Sequence, residues 1–334
     1  MKKLVLNFPN QLKEALIIGQ NYQFTTTQSD FKNVVVTGLG GSGIGASIVQ
    51  NFVFDKLKLP FIVNKDYFMP AFINNQSLVI VCSYSGNTEE TLEAFNEAIK
   101  ANATICCITS GGKVAEIAKE KGYNCIIVPP GMPPRSCLGY SLVQILFVLY
   151  HFGLINNTFE NEINAAIALL NINEEQIQNK AQKVAKKLKG KIPVVYSSST
   201  HEGVAIRFRQ QLNENSKVLA WHGVIPEMNH NELVGWRDEA KEIAVIILRN
   251  VDDYSRVQTR MEINKKIIKK CKSDIIEIYS EGASYWEKVF YLIHLTDWVS
   301  VFLADIRKVD ATEVNVIDFL KGSLAKESTE KIKK

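Results

Sequence analysis

Apolar residues in this chain fall into short continuous runs, separated by segments in which they recur every three or four positions. The runs at residues 34–37, 61–63, 77–82, 104–108 and 125–128 are rich in Val, Ile and Cys. They are too short for helices and lack polar alternation, the pattern of strands covered on both faces of a parallel sheet. Between them, residues 44–54, 92–99 and 113–121 carry helical spacing, with Gly122 as a stop signal. Residues 11–20 read as a leading helix, and residues 138–152 as a long helix closing the first half. An Asn-rich polar passage at residues 156–161 marks a boundary. Helical segments then lead to a second series, with strands at 193–196, 218–221, 243–248 and 274–279 and helices at 202–215, 255–270, 286–306 and 316–324. Strands alternating with helices of this length predict an α/β protein with parallel, doubly wound sheets. The second half repeats the layout of the first, so the expected organisation is an internal duplication, with one unit in residues 1–155 and the other in 156–334.

Two turns in the first half carry candidate chemistry. Ser83, Ser85 and Thr88 lie in a hydroxyl-rich turn between a buried strand and a helix. Unsatisfied N–H groups and the positive end of the dipole favour an anion at such a helix start, and three hydroxyls add donors of the kind a phosphate monoester accepts. The same residues have a plainer reading, because Asn87 followed by Glu90 is an ordinary capping box that needs no ligand. The earlier turn, with Gly38, Gly40 and Gly43, fits the dinucleotide pattern G-x-G-x-x-G after a strand, and Asp66 stands where a ribose acid would. Two tight turns on neighbouring strands suit a small sugar phosphate as well as a long cofactor, and the residues alone leave both readings open.

Bulk composition narrows the classes without choosing among them. The chain is 46% hydrophobic and 22% charged, as expected of a globular protein rather than a disordered one. A net charge of +4, from 39 basic and 35 acidic residues, is too small to argue for nucleic acid or an anionic membrane. Lysine-rich runs at 265–270 and 331–334 read as a solvated helix face and a frayed terminus. The apolar run after Lys2 and Lys3 is too short for a signal peptide. Residues 142–154, interrupted by Gln144, His151 and Gly153, fall short of the ~20 residues of a membrane span. Six cysteines without C-x-x-C spacing read as buried thiols of a reducing compartment, so a cytoplasmic location is expected. Neither the histidines nor the cysteines have metal-ligand spacing, and no P-loop occurs, so no metal and no cofactor are expected. In the second half the polar clusters at 210–217 and 226–236, the latter expected to begin a helix, contain Glu214 and His230, which in isolation read as solvated or capping groups.

Taken together, Gly38-Leu39-Gly40-Gly41-Ser42-Gly43, Ser83-Tyr84-Ser85-Gly86-Asn87-Thr88, Asn213-Glu214-Asn215-Ser216-Lys217 and Glu227-Met228-Asn229-His230-Asn231-Glu232 resemble the bifunctional phosphoglucose/phosphomannose isomerases of the sugar isomerase (SIS) superfamily. The S-x-S-G-x-T turn is general to the superfamily, whereas the paired E-N-x-K and E-M-N-H-N-E segments are much more specific. The resemblance spans residues 30–325. It implies two SIS subdomains, each a parallel sheet flanked by helices, and interconversion of glucose 6-phosphate or mannose 6-phosphate with fructose 6-phosphate through a cis-enediol. It assigns the phosphate to Ser83, Ser85 and Thr88, the sugar to Gly41 and Ser42, proton transfer between C1 and C2 to Glu214, and ring opening to His230. Arg135 would stabilise enediolate charge, and Lys321 would lie near the ring oxygen. The resemblance further implies a homodimer in which the histidine crosses from the neighbouring subunit. Ser216 stands where alanine is common, and His222 is a competitor for the ring-opening role. A sugar-phosphate-responsive binding module and an NAD-dependent oxidoreductase are the alternative readings.

Overall fold

The computed structural model describes residues 1–27 and 30–327; the lysine-rich tail at 331–334 lies outside the described residues. In chain order the first half comprises α1 (Lys2–Leu6), α2 (Phe8–Asn21), β1 (Asn33–Thr37), α3 (Gly40–Val53), β2 (Phe61–Asn64), β3 (Ser77–Cys82), α4 (Glu89–Lys100), β4 (Thr104–Thr109), α5 (Gly112–Lys121), β5 (Asn124–Ile127) and α6 (Leu138–His151). The 30-residue α7 (Thr158–Lys187) follows. The second half contains β6 (Ile192–Ser198), α8 (Glu202–Glu214), β7 (Trp221–Ile225), β8 (Ile243–Arg249), α9 (Ser255–Lys270), β9 (Asp274–Tyr279), α10 (Tyr285–Arg307) and α11 (Asn315–Leu324).

Two parallel sheets result, with strand orders β2-β1-β3-β4-β5 and β7-β6-β8-β9. β1 and β3 are buried along their whole length, which is why their sequences, NVVVT and SLVIVC, lack polar alternation. They run in register, Val35 beside Val79 and Thr37 beside Val81. Both sheets contribute to one apolar core, in which Val36, Ile80 and Cys106 of the first join Val195, Ile246 and Ile276 of the second through α3, α6, α7, α8 and α10. Smaller clusters cover the outer faces, one around Phe95 and Val81, the other around Tyr196 and Met261. The two-sheet α/β architecture read from the hydrophobic pattern is therefore the observed one.

Several local expectations change. The leading helix runs longer, over Phe8–Asn21, and a short α1 precedes it. The strand expected at 218–221 is displaced to Trp221–Ile225, because α8 ends through Lys217 in the left-handed region (φ +55°) and Val218 N–H returns to Leu212 O at 3.3 Å. Leu219 is left solvent-facing, and pairing with β6 starts only at Trp221 opposite Val194. The helix expected to begin in 226–236 is replaced by two 3₁₀ turns, Glu227–His230 and Glu232–Gly235. Among the described residues one helix, the 23-residue α10, is long and apolar enough to span a membrane, unlike residues 142–154. It is instead a core helix, most of it buried and packed along α7 and α8, and it opens with a capping box between Ser284 and Glu287.

Candidate functional site

β1 and β3 are neighbours, but the chain leaves them toward opposite edges of the sheet, so a crevice opens beyond their carboxyl ends. The glycine turn follows β1, and α3 begins within it, at Gly40. A Cβ on Gly41 would stand 2.6 Å from the carbonyl oxygen of Pro134, and one on Gly43 2.2 Å from that of Gly38. Contact with the chain's own backbone therefore explains both glycines. It also lets the first turn of α3 lie directly against the 3₁₀ turn Pro134–Ser136, which carries Arg135. Asp66, placed for a ribose, accepts from its neighbour Tyr67 N–H at 2.6 Å.

The hydroxyl turn follows β3. Ser42 Oγ accepts from Tyr84 N–H at 3.0 Å and so joins the two turns. Ser83 is buried, with its Oγ 3.1 Å from Thr88 Oγ1, whereas Ser85 is exposed and accepts from Asn87 N–H at 3.2 Å. Thr88 is the N-cap of α4 and makes no side-chain cap bond, so the first-turn amides lack a side-chain acceptor. The capping box expected from Asn87 and Glu90 does not form. Asn87 instead donates to Ser85 O and accepts from Lys113 N–H, each at 3.2 Å, because the start of α5 comes within its reach. That approach depends on Gly86, which has φ +69° and whose Cβ would lie 1.8 Å from Gly111 O. Gly86→Ala is expected to cost about 2–4 kcal/mol, from left-handed strain together with overpacking. Calorimetry checks this as a thermal midpoint lowered by several degrees, and an unchanged midpoint would show that the crossing relaxes without cost.

Arg135 is buried where the first half meets α8 and the segment after α10. Its Nε donates to Asn215 Oδ1 at 2.8 Å, and its Nη2 donates to the carbonyls of Ala311 and Thr312, both at 2.8 Å. The remaining nitrogen, Nη1, lies 3.4 Å from Glu214 Oε2. Burial lowers the Arg135 pKa, while Glu214, Glu313 and Asp310 push it back up. Glu214 is the last residue of α8, and its side chain is 27% exposed, so a substrate can reach it. Lys217 donates to Glu214 O at 2.5 Å and Glu313 O at 2.8 Å, binding the end of α8 to residues 311–313. Beneath them lies a buried ion pair, Arg207 with Asp297 at 2.5 Å, and Arg207 Nη2 also donates to Arg135 O at 3.2 Å.

Gly41, Ser42, Ser83, Ser85, Thr88, Arg135 and Glu214 are thus linked in a single chain by successive contacts, from the hydroxyl turn through the glycine turn and the Pro134–Ser136 turn to the end of α8. His230 and Lys321 do not join this set: among the described residues neither makes a hydrogen bond or ion pair with Glu214 or Arg135. α8 starts beyond the carboxyl end of β6 and runs back along the sheet, whereas β7 delivers its loop at the carboxyl end. Glu214 and His230 therefore stand at opposite ends of α8, roughly 20 Å apart along its axis. The His230 loop is firmly held: Tyr196 Oη donates to Glu232 Oε1, Trp236 Nε1 donates to Tyr196 Oη at 3.1 Å, and Asn229 Nδ2 donates to Asn264 Oδ1 at 2.8 Å. His230 itself is exposed, as is Lys321 on α11, a helix with no buried residue. His222 stays on β7, 3.8 Å from Glu202, with its pKa lowered to about 4 by burial and by Arg209 and Lys65. It lies with Glu202 and the 227–232 loop rather than with Glu214.

The matching crevice of the second sheet, beyond β6 and β8, is filled from within. Ser198 Oγ donates to Asp253 Oδ1 at 2.8 Å, and Asn250 N–H donates to Asp253 Oδ2 at 3.0 Å. His201 packs beside them, its Nδ1 3.0 Å from Thr200 Oγ1 and its pKa lowered to about 4, chiefly by burial. Sequence reading missed the roles of Asn215, Arg207, Asp297 and residues 311–312. Arg207 and Asp297 left a signal, since each places a charge among the buried positions of its helix. The carbonyls of Ala311 and Thr312 left none, because any residue supplies a carbonyl.

Comparison with known proteins assigns both halves to SIS-type domains. Residues 29–150 match the SIS domain family, and residues 177–324 match the bacterial phospho-glucose isomerase C-terminal SIS domain. The bifunctional phosphoglucose/phosphomannose isomerase of Caldicellulosiruptor bescii is 40% identical over 97% of this chain and 99% of its own length. The protein of the same description from Aquifex aeolicus is 38% identical over 89% of this chain and 91% of its own. In fold alone, the C-terminal domain of glucosamine-fructose-6-phosphate aminotransferase from Francisella tularensis superposes with a TM-score of 0.77 at 13% identity, covering 94% of this chain and 98% of that one. Two SIS-type sheets, the two matching domain families and 40% identity over nearly the whole length place this chain in the bifunctional phosphoglucose/phosphomannose isomerase family.

Proposed function

We propose that this protein interconverts glucose 6-phosphate and mannose 6-phosphate with fructose 6-phosphate by proton transfer through a cis-enediol, without a metal. The observation that carries this reading is Glu214 standing 3.4 Å from Arg135, beside the Gly41 and Ser42 turn that joins the hydroxyl turn. Ser83, Ser85, Thr88 and the first amides of α4 hold the phosphate, and Gly41 and Ser42 line the sugar. The Glu214 carboxylate takes the proton from C2 of the open-chain aldose and returns it to C1, while the hydroxyl proton at O2 passes to O1. Arg135 Nη1 meets the oxygen charge that develops in the enediolate. His230 opens the ring, and Lys321 approaches the ring oxygen. The distance between His230 and Glu214 within one chain supports a homodimer in which each site takes its histidine from the neighbour. A chain divided near residues 155 and 156 and located in the cytoplasm fits this reading.

The direct test is a coupled assay of both aldose phosphates with chelator present; no turnover by the wild-type protein rules the reading out. Sharing is tested by subunit mixing. Glu214→Gln and His230→Ala are each expected to be inactive alone. A mixed dimer retains one site with both groups intact, so random exchange restores about a quarter of wild-type activity. If mixing restores nothing, the histidine acts within its own chain.

A further inference from the structure

The hydrogen bonds around Arg135 have a common property that the proposed chemistry does not require of them. Nε and Nη2 donate to three oxygens, Asn215 Oδ1, Ala311 O and Thr312 O, and all three belong to neutral groups. A buried arginine is more often held by a carboxylate, which supplies the planar fork its guanidinium matches. Here the one carboxylate in contact is that of Glu214. The other charges nearby are matched elsewhere: Arg207 by Asp297 at 2.5 Å, and Lys217 by Glu313 at 3.4 Å. Asp310 is solvent-exposed and accepts from Thr312 N–H.

The amide orientation of Asn215 follows from its second partner. Asn215 is fully buried, and its Nδ2 is 2.9 Å from Ser300 Oγ. The Ser300 hydroxyl donates its one proton to the carbonyl of Asp297 at 2.6 Å, so it can only accept from Asn215. The amide nitrogen must then face Ser300, which turns Oδ1 toward Arg135. Ser300 O is in turn fixed by Ser216 Oγ at 2.6 Å.

We propose that Asn215 is a positioning residue for the isomerisation: oriented by Ser300, it anchors Arg135 without neutralising it, so that the guanidinium charge remains available to Glu214 and to the reacting oxygens. This rests on the isomerase reading above. An aspartate at this position would keep an acceptor for Nε and nearly the same shape. It would also offset the Arg135 charge and add a negative group beside Glu214, Glu313 and Asp310, with Lys217 already engaged by Glu313.

The test compares Asn215→Asp and Asn215→Ala with the wild type in kcat, KM and pH–rate profile. Asn215→Asp is expected to lower kcat about tenfold or more with KM within about twofold, and to move the acid-side limb of the profile up by about one pH unit. Asn215→Ala is expected to lower kcat and leave that limb in place. An acid limb at the wild-type position in Asn215→Asp overturns the proposal, since the added carboxylate would then leave the charge felt by Glu214 unchanged. A moved limb with wild-type kcat overturns it too, because an uncompensated Arg135 would then not matter to turnover. Should Asn215→Asp fail to fold, as judged by circular dichroism and gel filtration, Ser300→Ala replaces it. Freeing the amide to rotate is expected to lower kcat several-fold at constant KM, and wild-type kcat in that variant overturns the proposal. Wild-type activity in the same assay separates the two levels: without it the isomerase reading fails and takes this inference with it, whereas an active wild type with indifferent variants removes only the role of Asn215.

Discussion

Glu214→Gln is expected to reduce isomerisation by about 10²–10⁴-fold, the usual contribution of a positioned proton-transfer group. The substitution keeps the size of the side chain and leaves an oxygen for Arg135 Nη1, 3.4 Å away in the wild type. It removes the proton acceptor and little else. Because the hydroxyl turn is untouched, the substrate should bind nearly as before, so the loss should fall on kcat. Coupled turnover measures the rate, and exchange of the C2 hydrogen with deuterated water reports the proton step separately. Turnover near the wild-type level would remove Glu214 from the mechanism. Lost turnover with undiminished exchange would place its role after the proton step.

Arg135→Ala is expected to cost about 10²–10³-fold in kcat, as when one preorganised donor to a developing oxyanion is deleted. It differs from the glutamate change in also lowering stability. Asn215 Oδ1 and the carbonyls of Ala311 and Thr312 each lose the donor that now satisfies them. Each loss costs about 1–3 kcal/mol where water cannot substitute, and less at the partly open carbonyls. Arg135→Lys keeps the charge but replaces the planar fork by a compact ammonium that cannot span acceptors on opposite sides of a guanidinium, so it should recover little of either loss. Kinetics measured with thermal unfolding separate the two effects. A kcat within tenfold of wild type in Arg135→Ala would remove its electrostatic role.

The fold was legible because its signal is local and repeated. The run Ser77-Leu78-Val79-Ile80-Val81-Cys82 can only be a strand covered on both sides, and it is one. Strand ends failed where another element decided them. Val218 and Leu219 have strand composition, yet the return of Val218 N–H to α8 holds them out of the sheet. The hydroxyls of the Ser83–Thr88 turn suggested an anion site, and the same letters also suggested a cap that does not form. Glu214 and Arg135 could not be joined from composition, being far apart in sequence and brought together only by the docking of α8 on the first half. The motif resemblance supplied what local pattern could not. Even so, it did not point to the carbonyls of Ala311 and Thr312, since a backbone acceptor leaves no trace in side-chain identity.

The two halves share a layout, but only one retains an open turn at its switch point. In the second half the Asp253 carboxylate takes the hydrogen bonds that Ser198 Oγ and the Asn250 amide offer beyond β6 and β8. The second unit therefore carries its own permanent occupant. On the proposed reading the expected stoichiometry is one sugar phosphate per chain, despite two copies of the architecture. On the same reading the second copy serves through its helix end, at Glu214, and its edge loop rather than through its own turn.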